Sequence, residues 1–359
     1  MPSPNKLPCL VLALTLALPS PLLHAQVNLP ALGERASDDF QVADERRLGE
    51  QIMRDIWRDP AYLDDPVLLD YVQSLWQPLV ASARRLGHIG ADVDEAFAWQ
   101  VFLVRDRSVN AFALPGGHVG VHLGLIAMTA SRDELASVLA HELTHVSQRH
   151  IARSIGSNQR TSLVAAAAMI VALLASARAR NTDAAQAAIA GGQAATIQGQ
   201  LNFSRDVERE ADRIGFGLLQ DAGFAPGGMA AMFEKLEAAN RLNDFTGFPY
   251  LRSHPLTTDR ISEARGRLHD LPAATPASGA SGGERLHQVM AARARVLMDP
   301  AVASLRRWQT PPPDDARPEL KLAAAVSAAL ASSLLREHDA ARLGLDVVPS
   351  VILSRRKDY

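Results

Sequence analysis

The sequence predicts a mainly α-helical protein that contains a small β-sheet and ends in a short helical tail. Hydrophobic residues make up 47% of the 359 residues, enough for a sizeable buried core, whereas aromatic residues make up only 5%. Alanine and leucine, which favour helices, are abundant in segments whose apolar residues recur every three or four positions. A single region near residues 97–125 has the short apolar runs and turn residues that are typical of strands.

The first 25 residues have the pattern of a secretory signal peptide. Lys6 provides a positive start, residues 7–18 form an apolar run, and Ala25 is a small residue at a suitable cleavage point. The run is shorter than a membrane anchor requires, and Pro19 follows it directly. We therefore expect an exported protein from which residues 1–25 are removed.

Cysteine usage and charge exclude several classes of function. Cys9 is the only cysteine and lies inside the predicted signal peptide, so the mature chain has no thiol. Thiolate catalysis and a cysteine-based zinc site are thereby excluded. The formal net charge is -2, and no cluster of lysine and arginine is present to bind phosphates, so we expect no nucleic-acid partner.

Two helices and a small sheet should follow the signal peptide. Apolar residues at helical spacing predict one helix over residues 43–57 and another over residues 66–84. Residues 97–104 form a short run rich in Phe and Val, which predicts a strand. A Pro-Gly-Gly turn at residues 115–117 lies between two short extended pieces within residues 110–125 and predicts a hairpin.

The clearest helical pattern covers residues 131–153. Ser131 and Glu134 form a capping-box pattern at its start, and an apolar stripe follows. Residues 204–219 predict a second firm helix.

Two alanine-rich segments separate these helices. Residues 162–177 are uncharged but shorter than the roughly 20 residues that span a bilayer. They fit either a buried helix or a segment that contacts a membrane surface, and no transmembrane span is expected in the mature chain. Residues 183–200 contain two adjacent glycines and predict a loose helix or a lid.

The mature chain is expected to have three parts. Residues 26–272 form the main domain, and residues 273–285 have the alanine-, glycine- and serine-rich composition of a linker. Residues 286–359 form a helical C-terminal module. Its helix pair, over residues 320–335 and 339–348, is compatible with one tetratricopeptide-like unit, although about three repeats are needed for a stable array.

The motif His-Glu-x-x-His at residues 141–145 has the spacing of a metal-binding helix. Residues four apart on a helix lie about 6 Å apart along the axis and about 40° apart around it. His141 and His145 can therefore bind one Zn²⁺ together, and Glu142 can face a water molecule beside the metal. The alternative is that both histidines are ordinary residues of the helix.

A catalytic zinc also needs a third protein ligand. Glu208 and Asp212 lie four residues apart on the later helix, so Glu208 would bind the metal while Asp212 accepts a hydrogen bond from a ligand histidine. The spacing alone does not decide between Glu208 and Glu210, and a solvated charged helix face is the alternative. Five further histidines are expected at the surface: His118, His122, His150, His287 and His338.

Three blocks of this sequence resemble the metallopeptidase family that includes HtpX, the CAAX prenyl protease and the periplasmic BepA-type proteases. These blocks are the motif at residues 141–145, the Glu-x-x-Ala-Asp pattern at residues 208–212 and the segment at residues 110–117. They occur in the family's order within roughly residues 40–270. The resemblance implies a zincin-like metalloprotease domain that holds one Zn²⁺ per chain.

The resemblance also implies roles for single residues. Glu208 would be the third zinc ligand, with Asp212 supporting a ligand histidine. An edge strand beside the substrate would comprise Asn110, Ala111, Phe112, Ala113 and Leu114.

A further block, His254-Pro255, is followed by Arg260. By resemblance, His254 would be a fourth ligand in a closed, inactive state, and His254 or Arg260 would stabilise the oxyanion in an open state. A plain His-Pro turn before a helix is the alternative.

The expected function is that of a zinc endopeptidase in the bacterial periplasm. By resemblance, it would degrade misfolded or unassembled polypeptides and take part in outer-membrane protein quality control, with the outer-membrane assembly machinery as a partner. The alternative is a chaperone-like assembly factor whose metal site is mostly closed. HtpX and the prenyl protease have several membrane spans, whereas no span is expected here. BepA-type proteins have a longer tetratricopeptide array, whereas the tail after Gly283 in this sequence is short.

Overall fold

The computed structural model describes residues 41–154, 205–242, 248–269, 280–313, 315 and 318–346. The predicted signal peptide and the alanine-rich segments at 162–177 and 183–200 lie outside these ranges. Within them, the chain is mainly helical with one small sheet, so the predicted fold class is confirmed. None of the helices in these ranges combines the length and the apolar character that a bilayer crossing demands.

Four strands form a mixed sheet in the order β1-β2-β4-β3. Strand β2 runs antiparallel to β1 and parallel to β4, and the antiparallel β3–β4 pair is the predicted hairpin. Gly116 and Gly117 in its turn have φ angles of 77° and 88°, which explains why glycines occupy these positions. The strands are β1 (Tyr62–Leu63), β2 (Gln100–Val104), β3 (Ala111–Leu114) and β4 (His118–His122).

The helices predicted near residues 43–57, 66–84, 204–219 and 320–335 are present with nearly the expected bounds. In chain order, the helices are α1 (Val42–Ile56), α2 (Pro66–Arg85), α3 (Ala91–Ala96), α4 (Leu123–Met128), α5 (Arg132–Ser147), α6 (His150–Ser154), α7 (Arg205–Asp221), α8 (Gly227–Leu242), α9 (Pro249–Ser253), α10 (Thr258–His269), α11 (Ala280–Leu297), α12 (Val302–Trp308), α13 (Pro318–Leu334) and α14 (His338–Asp346).

Each face of the sheet contributes to a different part of the core. Because side chains alternate along a strand, Ala111, Val119 and Val121 join the main core, in which α5 is central. Phe102 and Leu114 point to the other face and pack with the apolar residues of α1. Helix α5 is thus covered on several sides, and every one of its residues from Glu134 to Ser147 is buried.

The prediction of a single helix over residues 131–153 is wrong at the C-terminal end. The start is as predicted, since the Glu134 N–H donates to Ser131 Oγ at 3.1 Å. Helix α5 ends at Ser147, however, and α6 begins at His150. Arg149 has a φ of 52°, in the left-handed region, which ends the helix and redirects the chain.

Helix α11 begins at Ala280, inside the segment predicted as a linker at residues 273–285. Its apolar residues, among them Met290 and Ala294, are part of the main core. Two polar contacts also join it to α2 and its N-cap residue. Arg293 binds the N-cap Asp65 through two nitrogens at 2.7 and 2.9 Å, and His287 Nδ1 lies 2.6 Å from the hydroxyl of Tyr71 in α2.

Candidate metal centre

Three separate parts of the chain meet at one buried cluster. Helix α5 supplies His141 and His145, α7 supplies Glu208, and the residue after α9 supplies His254. Each of these residues is at most 2% exposed, and one ligand atom from each lies within 4.8 Å of the others. Helices α7 and α5 approach closely at Gly215, where an added Cβ would lie only 3.3 Å from the backbone of Ala140 and His141.

Five separations between potential ligand atoms lie between 3.0 and 3.5 Å. His141 Nε2 lies 3.0 Å from His145 Nε2, 3.3 Å from His254 Nδ1 and 3.4 Å from Glu208 Oε2. Glu208 Oε1 lies 3.1 Å from His254 Nδ1 and 3.5 Å from His145 Nε2. Three ring nitrogens and a carboxylate thus converge on one point, so these four residues can hold one metal ion.

Asp212 contacts one of the histidines in this cluster. Its Oδ1 lies 3.0 Å from His141 Nδ1, the ring nitrogen that the cluster does not use. An imidazole that binds metal through Nε2 carries its proton on Nδ1, so Asp212 can accept that hydrogen bond and orient the ring.

Glu142 lies beside the cluster with its carboxylate buried. The residue is 0% exposed, and the backbone of Ala113 and the ring of His254 are among its polar neighbours. Its Oε1 lies 3.5 Å from His254 Nε2. Burial raises the pKa of Glu142, although the nearby rings of His254 and His141 oppose the shift. A buried carboxylate with a raised pKa is suited to proton transfer.

Carboxylates and imidazoles shift one another's pKa across the cluster. Burial by itself lowers the pKa of His141, but Glu208 and Asp212 outweigh it and raise that pKa to about 9. Burial raises the pKa of Glu208, whereas His254 and His141 hold it well below its usual range. Two buried carboxylates therefore favour a positive charge at this point, as a cation would provide.

The predicted substrate segment lies next to this centre. Strand β3 (Ala111–Leu114) is an edge of the sheet and packs against α5. Phe112 and Ala113 are half-buried, while Ala111 and Leu114 belong to the core. Asn110, which precedes the strand, has a buried amide oxygen without a hydrogen-bond partner in the described part of the chain.

Arg260 is tied to the acidic residues of the centre. Its Nε donates to Asp212 Oδ2 at 2.6 Å and its Nη2 to Asp212 Oδ1 at 2.8 Å. Its Nη1 donates to the Pro255 carbonyl at 2.9 Å and lies 2.9 Å from Glu208 Oε2. These contacts engage all three guanidinium nitrogens, and Asp212 and Glu208 are the charged partners. Contact of Arg260 with a substrate oxyanion stays a prediction.

Four histidines expected at the surface are buried, and that prediction is wrong for them. His118 and His122 lie on the face of β4 that α1 covers, and burial lowers the pKa of each to about 4. His150 is buried by the turn at Arg149, and His287 is buried by the packing of α11. His338 is exposed as predicted.

Sequence reasoning also missed Tyr250, in α9. The residue is 2% exposed, its ring centre lies 4.7 Å from that of His254, and burial raises its pKa well above the usual range. No pattern in the sequence marks Tyr250, because α9 is far from α5 along the chain and only the folding of the chain brings it to the centre.

Comparison with known proteins agrees with this geometry. Residues 77–268, more than half of the chain, match the profile described as Peptidase family M48. A putative beta-barrel assembly-enhancing protease of Vibrio cholerae is 38% identical over 74% of this chain and 52% of its own length. The beta-barrel assembly-enhancing protease of Escherichia coli K12 is 33% identical over 74% of this chain and 53% of its own length.

A more distant relative is a mitochondrial metalloendopeptidase of Schizosaccharomyces pombe, 28% identical over 65% of this chain and 64% of its own length. The chain spans about half the length of the bacterial relatives named above. The match over residues 77–268 contains the motif at residues 141–145, the block at residues 208–212 and His254, so the resemblance drawn from these residues is confirmed. The chain belongs to peptidase family M48.

Proposed function

We propose that this protein is a zinc endopeptidase. The observation that carries the proposal is the convergence of His141, His145 and Glu208 beside the buried carboxylate of Glu142. At zinc–ligand distances of about 2.0–2.1 Å, the corners of a tetrahedron lie about 3.3–3.4 Å apart. The separations of 3.0–3.5 Å between the potential ligand atoms fit that geometry.

A bound zinc ion would polarise the scissile carbonyl and lower the pKa of a water molecule. Glu142 then accepts the proton of that water and donates it to the departing amine. Asp212 and Arg260 keep His141 in place. The substrate lies extended along β3, and backbone hydrogen bonds to this edge favour unfolded chains of many sequences.

The relatives' names suggest where such an activity is used. Because the relatives include beta-barrel assembly-enhancing proteases, we propose that this protein acts in the periplasm on misfolded or unassembled outer-membrane proteins. The outer-membrane assembly machinery is then its partner, and the predicted signal peptide would direct the export.

The test combines metal analysis with proteolysis. Purified wild-type protein should contain about one zinc per chain and digest casein. The Glu142→Gln variant should keep its zinc and its fold but lose the activity, since its amide cannot accept the proton. Digestion at the wild-type rate by this variant would contradict the role of Glu142, and a wild-type protein without zinc would contradict the proposed site.

One observation favours a chaperone-like assembly factor as a second candidate. His254 Nδ1 lies within 3.3 Å of both Glu208 and His141, so the cluster offers four protein ligands and no open position. A protein that stays in this state would bind unfolded clients without cleaving them. Client binding that is unaffected by Glu142→Gln, together with absent proteolysis in the wild type, would identify this function.

A further inference from the structure

The ring of His150 contacts the nitrogen of His145 that points away from the ligand cluster. His145 Nε2 belongs to the cluster, whereas His145 Nδ1 lies 2.9 Å from His150 Nδ1. His150 is 1% exposed, and the two ring centres lie 4.9 Å apart. The sequence pattern singles out His141 and His145 but contains no sign of this contact.

The contact depends on the break between α5 and α6. On a continuous helix, a residue five positions after His145 would point about 140° away from it. The left-handed backbone of Arg149 redirects the chain, a conformation that costs free energy in a non-glycine residue. It is held in place because Arg149 Nε donates to the buried carboxylate of Glu45 at 2.9 Å.

Glu210 continues the chain of contacts toward solvent. Its Oε2 lies 3.3 Å from His150 Nε2 and 3.2 Å from Arg153 Nη1, and its side chain is 28% exposed. Helix α7 therefore places Glu208 in the ligand cluster and Glu210 against His150. The two glutamates, two residues apart, thus contact different histidines.

The positions of the protons follow from the contacts. If His145 binds metal through Nε2, its Nδ1 carries a proton and donates it to His150 Nδ1. His150 then carries its own proton on Nε2 and donates to Glu210 Oε2. Each contact has one donor and one acceptor, and the chain ends on a carboxylate. The Nδ1 of His141 contacts a carboxylate directly, that of Asp212, with no histidine between them.

We propose that His150 and Glu210 are positioning residues that hold His145 in its metal-binding tautomer. The inference rests on the zinc site of the proposed function. Removing the acceptor at His150 takes away the contact that the Nδ1 proton of His145 makes with that ring. The ring then loses both its orientation and part of its basicity, and the affinity of the whole site for zinc falls.

The experiment measures zinc dissociation constants of full-length variants by competition with a chromophoric chelator. His150→Phe keeps the volume of the ring but removes both nitrogens, and its zinc affinity should fall about 10- to 100-fold. His150→Asn should bind zinc nearly as well as the wild type, since the amide oxygen takes the place of Nδ1 as acceptor. Glu210→Ala should show a smaller loss than His150→Phe.

His287→Phe is the matched control, because His287 is also fully buried but contacts Tyr71 and Thr129 rather than the ligand cluster. It should lower the thermal stability of the metal-free protein without changing zinc affinity. Absorption of the cobalt-substituted proteins should change in His150→Phe and not in the control.

The outcomes separate the two proposals. A wild-type protein that binds no zinc contradicts the proposed function itself. A wild type that binds zinc, with an equally tight His150→Phe, overturns only the positioning role. An Asn variant as weak as the Phe variant also overturns it, because packing would then be the cause. If His150→Phe does not fold, Glu210→Ala decides, and unchanged affinity in that variant overturns the role.

Discussion

Arg260 binds both carboxylate oxygens of Asp212, through Nε at 2.6 Å and Nη2 at 2.8 Å. Both side chains are 3% exposed, so the pair is almost completely removed from water. Asp212 in turn contacts the Nδ1 of His141. A residue of α10 is thereby connected to the histidine of α5 that belongs to the metal centre.

Arg260→Ala should destabilise the protein strongly. The substitution leaves Asp212 buried without its cation, and breaking a buried pair in this way costs about 3–5 kcal/mol. Arg260→Lys should be intermediate, because an ammonium cannot make the paired contact. The measurement is urea unfolding of the metal-free protein. Arg209→Ala is the control: its surface ion pairs to Asp259 and Glu263 contribute about 0–1 kcal/mol. Equal stability of the Arg260 and Arg209 variants would contradict the supporting role.

Glu208→Ala should lose most of its zinc. The carboxylate is 2% exposed and within 3.5 Å of three ring nitrogens, so its removal takes a charged ligand from the centre. We expect a greater loss than in Glu210→Ala, which acts only through His150. Zinc per chain is measured after dialysis against a mild chelator. Full zinc content in Glu208→Ala would refute the third ligand.

His254→Ala distinguishes a closing ligand from a catalytic donor. If His254 closes the site, its removal opens a ligand position, and the variant should keep its zinc and digest casein faster than the wild type. If His254 instead stabilises the oxyanion, the variant should be slower by roughly 10²- to 10³-fold. The comparison uses initial rates at equal zinc content.

The control for His254 is His269→Ala, an exposed residue of α10. Its rate should equal that of the wild type. An unchanged rate in His254→Ala as well would reject both roles and leave the His-Pro sequence as a turn.

Stability should fall as the pH drops below about 6.5, and His287 should contribute to this loss. Burial lowers the pKa of His287 in the folded state, so the unfolded chain binds more protons between that pKa and the ordinary value of about 6.5. The contribution is therefore present above pH 6.5 and decreases below it. His287→Gln should show a smaller slope of unfolding free energy against pH between 7.5 and 5.

The comparison for His287 uses zinc-saturated protein throughout, so that other buried histidines contribute equally to both slopes. His338→Gln serves as the control, since that residue is exposed. A His287→Gln slope equal to that of the wild type would contradict the assignment.

Part of the site could be predicted because it depends on local geometry. His141 and His145 share a helix, and the periodicity of that helix places their rings together whatever surrounds them. The pairing of Glu208 with Asp212 has the same origin. The choice between Glu208 and Glu210 could not be made from spacing, since which face of α7 meets α5 depends on packing at Gly215.

The sequence by itself determined the fold class, the helical segments, the hairpin and the residues of the metal motif, because each follows from spacing within one segment. Only the tertiary structure decided that α5 ends at Ser147, that α11 begins inside the expected linker, that His150 contacts His145, and that Arg260 contacts Asp212. Burial and pairing of this kind depend on which distant segments pack together. Local patterns do not encode that information. The burial of His118 and His122 could not be predicted for the same reason.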